Sequence, residues 1–139
     1  MTGKIIILVA LIYNPPRCNS ESDLYATNNQ GTMEVISKVS QMAVNMGHRL
    51  LILGDFNHKD IDWKDLNPHG ESRSWRAKFL SCIQENFLHQ HVLEPTRARD
   101  NDTPSTLDLV FTQHALDIEN LKYRAPLGKR IIVFSQWNL

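Results

Sequence analysis

The chain has few cysteines, no excess of charge of either sign and no long apolar run. Among its 139 residues, Cys18 and Cys82 are the only cysteines, and neither has a Cys or His partner at zinc-ligand spacing. The sequence therefore indicates neither a disulfide framework nor a structural zinc, and a reduced intracellular compartment is the default expectation. Lys plus Arg total 15, as do Asp plus Glu, so the basic excess that gives non-specific affinity for nucleic acid is missing. Charge alone neither suggests nor excludes DNA.

The longest apolar run covers residues 5–12 and predicts a β-strand. Its length is too short to span a bilayer, and a secretory signal is disfavoured because the run has no small-residue cleavage pattern and ends at Asn-Pro-Pro. Its β-branched residues favour an extended backbone. A strand that is apolar on both faces belongs in the middle of a sheet. Because it begins so near residue 1, we expect its neighbours to come from a missing N-terminal half of the domain.

The first half of the chain predicts a helix followed by a buried strand. An apolar share of 42% and a charged share of 22% are typical of a soluble globular protein, and we expect one domain over residues 1–139. The polar segment 17–31 predicts a loop. Helix-spaced apolar residues follow, with Gly47 as a left-handed cap, namely Ile36, Val39, Ala43 and Met46. Residues 50–53 then predict a buried strand that ends at Asp55.

The second half predicts another helix and further strands. Apolar residues recur at helical spacing at Trp75, Phe79, Cys82 or Ile83, and Phe87. Ser72 is the predicted N-cap of this helix. Residues 106–112 alternate with period two, which predicts a strand with Asp108 on the face opposite to its apolar neighbours. Residues 126–129 predict a turn, and residues 131–134 predict a last strand.

Asp55 and its neighbours are the first candidates for chemistry. Asp55 lies at the C-terminal end of a predicted buried strand, where α/β folds most often place ligand-binding groups. Gly54 would let the backbone approach a ligand closely. The amide of Asn57 can donate to a phosphate oxygen without adding negative charge beside Asp55. The alternative is an Asp-x-Asn sequence that only caps a turn, and these residues alone leave both interpretations open.

Four ordered motifs carry a resemblance to a known family. Residues 11–16 read Leu-Ile-Tyr-Asn-Pro-Pro, 51–57 read Leu-Ile-Leu-Gly-Asp-Phe-Asn, 95–97 read Pro-Thr-Arg, and 105–110 read Ser-Thr-Leu-Asp-Leu-Val. Their order and spacing resemble the endonuclease domains of LINE-type retrotransposon reverse transcriptases, within the endonuclease/exonuclease/phosphatase superfamily. Residues 126–129 also resemble the start of the terminal family motif Leu-Gly-Lys-Ser-Asp-His.

The resemblance implies a fold, a chemistry and a set of site residues. The implied fold is an α/β (α+β) four-layer sandwich, with two mixed β-sheets packed face to face and helices outside. The implied activity is phosphodiester cleavage in DNA with Mg²⁺ or Mn²⁺. Tyr13 and Asn57 would bind the phosphate, and Asp55 would act on the attacking water or the leaving oxygen, with a possible role at the metal. Asp108 would orient a catalytic histidine.

The chain also departs from the family pattern. After Lys129 it reads Arg-Ile-Ile in place of Ser-Asp-His, and the glutamate that serves as chief metal ligand belongs to the N-terminal half. We therefore expect a truncated, catalytically impaired endonuclease that holds metal weakly. We also expect that it has no membrane contact and needs another segment or chain to cover its strand edges. It would be nuclear if it acts on DNA. A non-catalytic remnant that binds nucleic acid or protein is one alternative. A phosphatase for small phosphate esters is another, although the segments 94–97 and 105–110 favour the nuclease.

Overall fold

A computed structural model describes residues 3–16, 22–59, 61–66, 74–97, 103–123, 132–133 and 136–137. These residues form two helices, α1 (Ser22–Met46) and α2 (Trp75–Glu85), and eight strands. The strands are β1 (Ile7–Tyr13), β2 (Arg49–Asp55), β3 (His89–Gln90), β4 (Asp108–Thr112), β5 (Ile118–Glu119), β6 (Lys122–Tyr123), β7 (Ile132–Val133) and β8 (Gln136–Trp137).

The main sheet has the order β1-β2-β4-β3 and is mixed. β1 runs parallel to β2, whereas β4 is antiparallel to both β2 and β3. Two short antiparallel pairs, β5 with β8 and β6 with β7, complete the described strands. The structure thus confirms an α+β fold with a mixed sheet.

The two faces of this sheet bury different apolar clusters. On one face, α1 and α2 enclose a large core that contains Phe56, Phe79 and Phe111. On the other face, Val92, Val110 and Ile118 form a smaller cluster. The period-two alternation predicted for 106–112 is confirmed, because Leu109 and Phe111 belong to the large core and Val110 to the small cluster.

The first strand lies at an edge of the described sheet, so its predicted central position, with neighbours from a missing N-terminal half, stays a prediction. Within the residues that the structure describes, β1 pairs with β2 alone. On the face away from the helices, Val9 is 54% exposed and Leu11 is 77% exposed. An apolar sequence therefore did not guarantee coverage on both faces.

Helix α1 begins at Ser22, so the predicted loop 17–31 is wrong from residue 22 onward, while residues 17–21 lie outside the described part. One polar side chain of this first stretch makes a long-range contact that the sequence does not reveal. The buried side chain of Asn29 accepts a hydrogen bond from Asn14 Nδ2 at 2.8 Å. The end of the helix matches the prediction, since Gly47 has a φ of 64°. Met46, predicted on the apolar face, is exposed.

Helix α2 is shorter than predicted at both ends. Its N-cap is Ser74, whose side chain accepts a hydrogen bond from the backbone N–H of Ala77, whereas the predicted cap Ser72 lies outside the described residues. The helix ends at Glu85, and Phe87 is 79% exposed with a φ of 54°. The prediction that Phe87 continues the apolar face of this helix is therefore wrong, because the helix ends two residues earlier and Phe87 itself adopts a left-handed conformation.

Candidate functional site

Three of the candidate side chains lie side by side on the sheet. In the strand register, Tyr13 is the partner of Asp55, and Asp55 is the partner of Asp108. Partners on neighbouring strands share a face, and the strands lie about 4.8 Å apart. Tyr13, Asp55 and Asp108, which we call the polar row, therefore cross three strands at one end of the sheet. The row lies on the face away from the helices.

The two carboxylates of the polar row are close neighbours. The N–H of Phe56 donates to the carbonyl of Leu107 at 2.9 Å, which makes these two residues a hydrogen-bonded pair of the ladder. Asp55 and Asp108 form the adjacent non-hydrogen-bonded pair, in which Cα atoms are only about 4.5 Å apart. Like charges directly opposite each other destabilise a sheet. The pairing therefore favours a ligand that brings positive charge.

Asp55 and Asn57 form a compact turn behind the row. The backbone N–H of Asn57 donates to Asp55 Oδ1 at 3.2 Å, so the turn-capping interpretation of Asp-x-Asn is correct as a description of local structure. Asn57 has a φ of 53°, a conformation that asparagine tolerates better than most residues. Its Nδ2 donates to the carbonyl of Asn14 at 2.6 Å. An amide nitrogen carries two hydrogens, so a second one is left to donate to a phosphate oxygen.

Asn14 joins this turn to the first helix, a role that sequence reasoning missed. Its side chain is 1% exposed, and Nδ2 donates to Asn29 Oδ1 at 2.8 Å and to the carbonyl of Phe56 at 3.2 Å. Its backbone N–H also donates to the carbonyl of Asp55 at 2.8 Å. The only sequence signal was its place directly after Tyr13 in the first motif.

The structure gives a reason for glycine at position 54 that differs from the predicted reason. A Cβ at this position would lie 1.7 Å from the carbonyl oxygen of Ile12. The glycine therefore permits close approach of β1, where the sequence interpretation expected approach of a ligand.

Thr96 fixes the start of β4 and hence the position of Asp108. Its Oγ1 accepts hydrogen bonds from the backbone N–H groups of Leu107 and Asp108, each at 3.1 Å. The motif Pro-Thr-Arg at 95–97 thus holds the last member of the polar row. Asp108 Oδ2 is buried and has no hydrogen-bond partner in the described part of the chain. That oxygen is suited to an imidazole N–H or a cation.

Replacing Thr96 with valine is expected to destabilise the chain by about 1–2 kcal/mol, because two backbone N–H groups lose their acceptor while side-chain volume is kept. Urea unfolding followed by circular dichroism measures this change. Thr106→Val is the matched control, since the Thr106 hydroxyl makes one exposed bond to the carbonyl of Glu94. Equal losses in the two variants would contradict the assigned role of Thr96.

Residues 7–128 match the model of a family described as endonuclease-reverse transcriptase. This stretch includes the whole polar row, Asn57 and Thr96. The chain belongs to the endonuclease-reverse transcriptase family. Comparison with curated proteins found no match. Family membership confirms the resemblance to LINE-type endonucleases. The roles that this resemblance implies for the polar row stay predictions.

The fit of this endonuclease-like site to a divalent cation depends on which carboxylate oxygens it can offer as ligands. The described residues contain no group of three or more His, Cys, Asp or Glu side chains placed to hold a metal. Mg²⁺, however, is often held by one or two carboxylates, with waters and substrate phosphates as the other ligands. Asp55 and Asp108 fit that pattern, since Asp108 Oδ2 has no hydrogen-bond partner in the described part of the chain. A cation bound there would neutralise charge that develops on a phosphate.

The groups with shifted pKa values lie away from the polar row. Burial lowers the pKa of His91, the charge of His89 lowers it further, and Asp117 opposes both. His91 Nε2 lies 2.7 Å from the hydroxyl of Thr112, at the opposite end of β4 from the row. Burial also raises the pKa of the Cys82 thiol. Both pKa shifts are best explained by packing.

In the part of the chain that the structure describes, neither helix is long and apolar enough to cross a membrane.

Proposed function

We propose that this chain is a retrotransposon-type endonuclease domain that binds a DNA phosphodiester at the polar row and is catalytically impaired by itself. The observation that carries the proposal is the register that aligns Tyr13, Asp55 and Asp108 on one face. In an endonuclease-reverse transcriptase these three groups have complementary uses. The phenol of Tyr13, 69% exposed, can donate to a phosphate oxygen, and a carboxylate beside it can accept a proton from water.

Asn57 completes the phosphate-binding part of the proposed site. Its second amide hydrogen adds a neutral donor next to Asp55, where a neutral donor offsets the repulsion between carboxylate and phosphate. Asn14 holds the amide in place through its carbonyl. Asp55 and Asp108 would hold the cation, Mg²⁺ or Mn²⁺, and these two residues alone would hold it weakly.

The proposed impairment rests on one departure in sequence. The family pattern calls for a histidine that pairs with Asp108, and position 132, where it is expected, is Ile132. Loss of a general base alone lowers rates by about two to four orders of magnitude. The nuclease chemistry therefore requires a group that these residues do not supply.

We further propose that a second sheet packs on the face that carries the polar row, as in the four-layer sandwich of the resembling endonucleases. Val9 and Leu11 support this, because both are large apolar side chains that are exposed side by side on this face. An exposed apolar patch of this kind typically marks a surface that another segment or chain covers. Such a sheet would also deepen the cleft around Tyr13.

Binding is tested with the dinucleotide TpT, followed by ¹H–¹⁵N correlation spectra of the labelled chain. We expect the shifts to change in one cluster at Tyr13, Asp55, Asn57 and Asp108, and to weaken in Asn57→Ala, since that variant lacks the free amide donor. No change at these residues, or changes that Asn57→Ala leaves intact, would refute phosphodiester binding at the row.

Impairment is tested by incubating supercoiled plasmid with the chain and Mg²⁺. We expect nicking at the level of the buffer, and the same level for Asp55→Ala. Nicking by the wild-type chain that disappears in Asp55→Ala would show that the domain is active and that the proposed impairment is wrong.

A further inference from the structure

A pocket of about 510 Å³ opens beside Asn57, between the turn after β2 and the start of α2. Its volume lies within the range of about 300–1,000 Å³ that is typical of ligand sites. Asn57 belongs both to this pocket and to the turn that follows Asp55, so the pocket lies beside the end of the sheet that carries the polar row. We call it the basic pocket, for the charges described next.

The charge of the basic pocket differs from that of the whole chain. Lys59 and Arg76 line it, and no carboxylate is among its described lining residues. The chain as a whole has equal numbers of acidic and basic residues. Local segregation of this kind raises the concentration of anions at a cleft. The start of α2, capped by Ser74, adds the positive end of an 11-residue helix.

Two aromatic side chains complete the lining. Trp75 and Tyr25 both contribute to the walls and are partly exposed. Lys78 Nζ lies 4.6 Å from the centroid of the Trp75 ring, which steadies the indole. Cations beside aromatic rings are the combination that binds single-stranded nucleic acid, because each nucleotide offers a phosphate and a base with a stacking face.

We propose that the basic pocket binds the nucleotide that flanks the phosphate at the polar row, with its phosphate at Lys59 and Arg76 and its base against Trp75. The proposal rests on the proposed function for the idea that a nucleic-acid strand reaches the row. It adds a second binding site on that strand. A nucleotide held there fixes which phosphate of the strand lies at Asp55.

The test measures binding of a fluorescein-labelled twelve-residue oligothymidylate by anisotropy, without divalent metal, at several NaCl concentrations. We expect Lys59→Ala with Arg76→Ala to weaken binding about tenfold and to flatten its salt dependence, since two phosphate contacts are lost. The control is Lys38→Ala with Lys122→Ala, which removes the same charge at exposed positions outside the pocket. Equal losses in the two double variants would overturn the proposal.

The stacking step has its own comparison. Trp75→Leu is expected to weaken binding of the oligothymidylate about fivefold or more, and to leave unchanged the binding of a strand of the same length with abasic residues. Equal effects on both strands, or no binding of either strand by the wild-type chain, would overturn the proposal. In the TpT experiment, shift changes at Tyr13 and Asp108 test the row, because neither residue lines the pocket, so failure at the row and failure at the pocket give different patterns.

Discussion

Replacing Gly54 with alanine is expected to destabilise the chain by about 3 kcal/mol or more, which is a large part of the stability of a domain of this size. The new Cβ would lie 1.7 Å from the carbonyl oxygen of Ile12 and 2.7 Å from its carbonyl carbon. Both atoms are backbone, so relief requires β1 to move away from β2. Urea unfolding followed by circular dichroism measures the loss. Because Tyr13 follows Ile12 and Asp55 follows Gly54, the same movement would separate two members of the polar row.

Two other glycines separate the effect of space from the effect of backbone conformation. Gly31 lies inside α1, and a Cβ added there would have nothing within 4 Å, so Gly31→Ala is expected to stabilise by about 0.5–1 kcal/mol. Gly47 has equal space but a φ of +64°, so Gly47→Ala is expected to cost about 1 kcal/mol. A Gly54→Ala variant within about 1 kcal/mol of wild type would show that β1 does not pack this closely.

The parts of the fold that could be predicted from sequence are those determined by local patterns. The apolar run at 50–53 is flanked by Gly47 and by Gly54-Asp55, and these signals locate β2 without knowledge of its partners. The alternation around Asp108 located β4 for the same reason. Each signal depends on residues that are neighbours along the chain.

The start of α1 could not be predicted, because a stretch with many polar residues is typical of a loop. Asn29 in this stretch is buried and accepts a hydrogen bond from Asn14, fifteen positions earlier, and the local sequence does not reveal that contact. The prediction for Phe87 was wrong although its local pattern was clear. Its helical spacing from Phe79 was correct, but the helix ended before it.

The candidate site, like the fold, was predictable from sequence only where its signals are local. Asp55 and Asn57 could be proposed from a strand end, but nothing local predicts that Tyr13 and Asp108 lie beside them. Register between strands is set by non-local pairing, and a slip by one residue would move these side chains to the other face. The resemblance to LINE-type endonucleases supplied that grouping. It gave no role to Thr96 or Asn14, whose hydrogen bonds hold the ends of the row.

Replacing Phe56 with alanine is the second change with a large expected effect, at about 3–5 kcal/mol of destabilisation. Phe56 is 0% exposed, and its ring contacts Phe111 edge to face at 5.5 Å and Phe79 at 5.8 Å between centroids. It stands between Asp55 and Asn57 in sequence, so the buried ring anchors the turn that presents both of them. We therefore expect Phe56→Ala to weaken TpT binding as well as lower the urea midpoint.

Comparison with a second phenylalanine distinguishes this anchor from a general effect of losing an aromatic ring. Phe87→Ala removes the same atoms from a side chain that is 79% exposed, and it is expected to change stability by no more than about 0.5 kcal/mol. Phe56→Leu keeps most of the buried volume and should cost about 1–1.5 kcal/mol while TpT binding is retained. If Phe56→Ala lost stability and kept full TpT binding under folded conditions, the ring would belong to the core alone. The position of Asn57 would then depend on Asn14 rather than on the residue that precedes it.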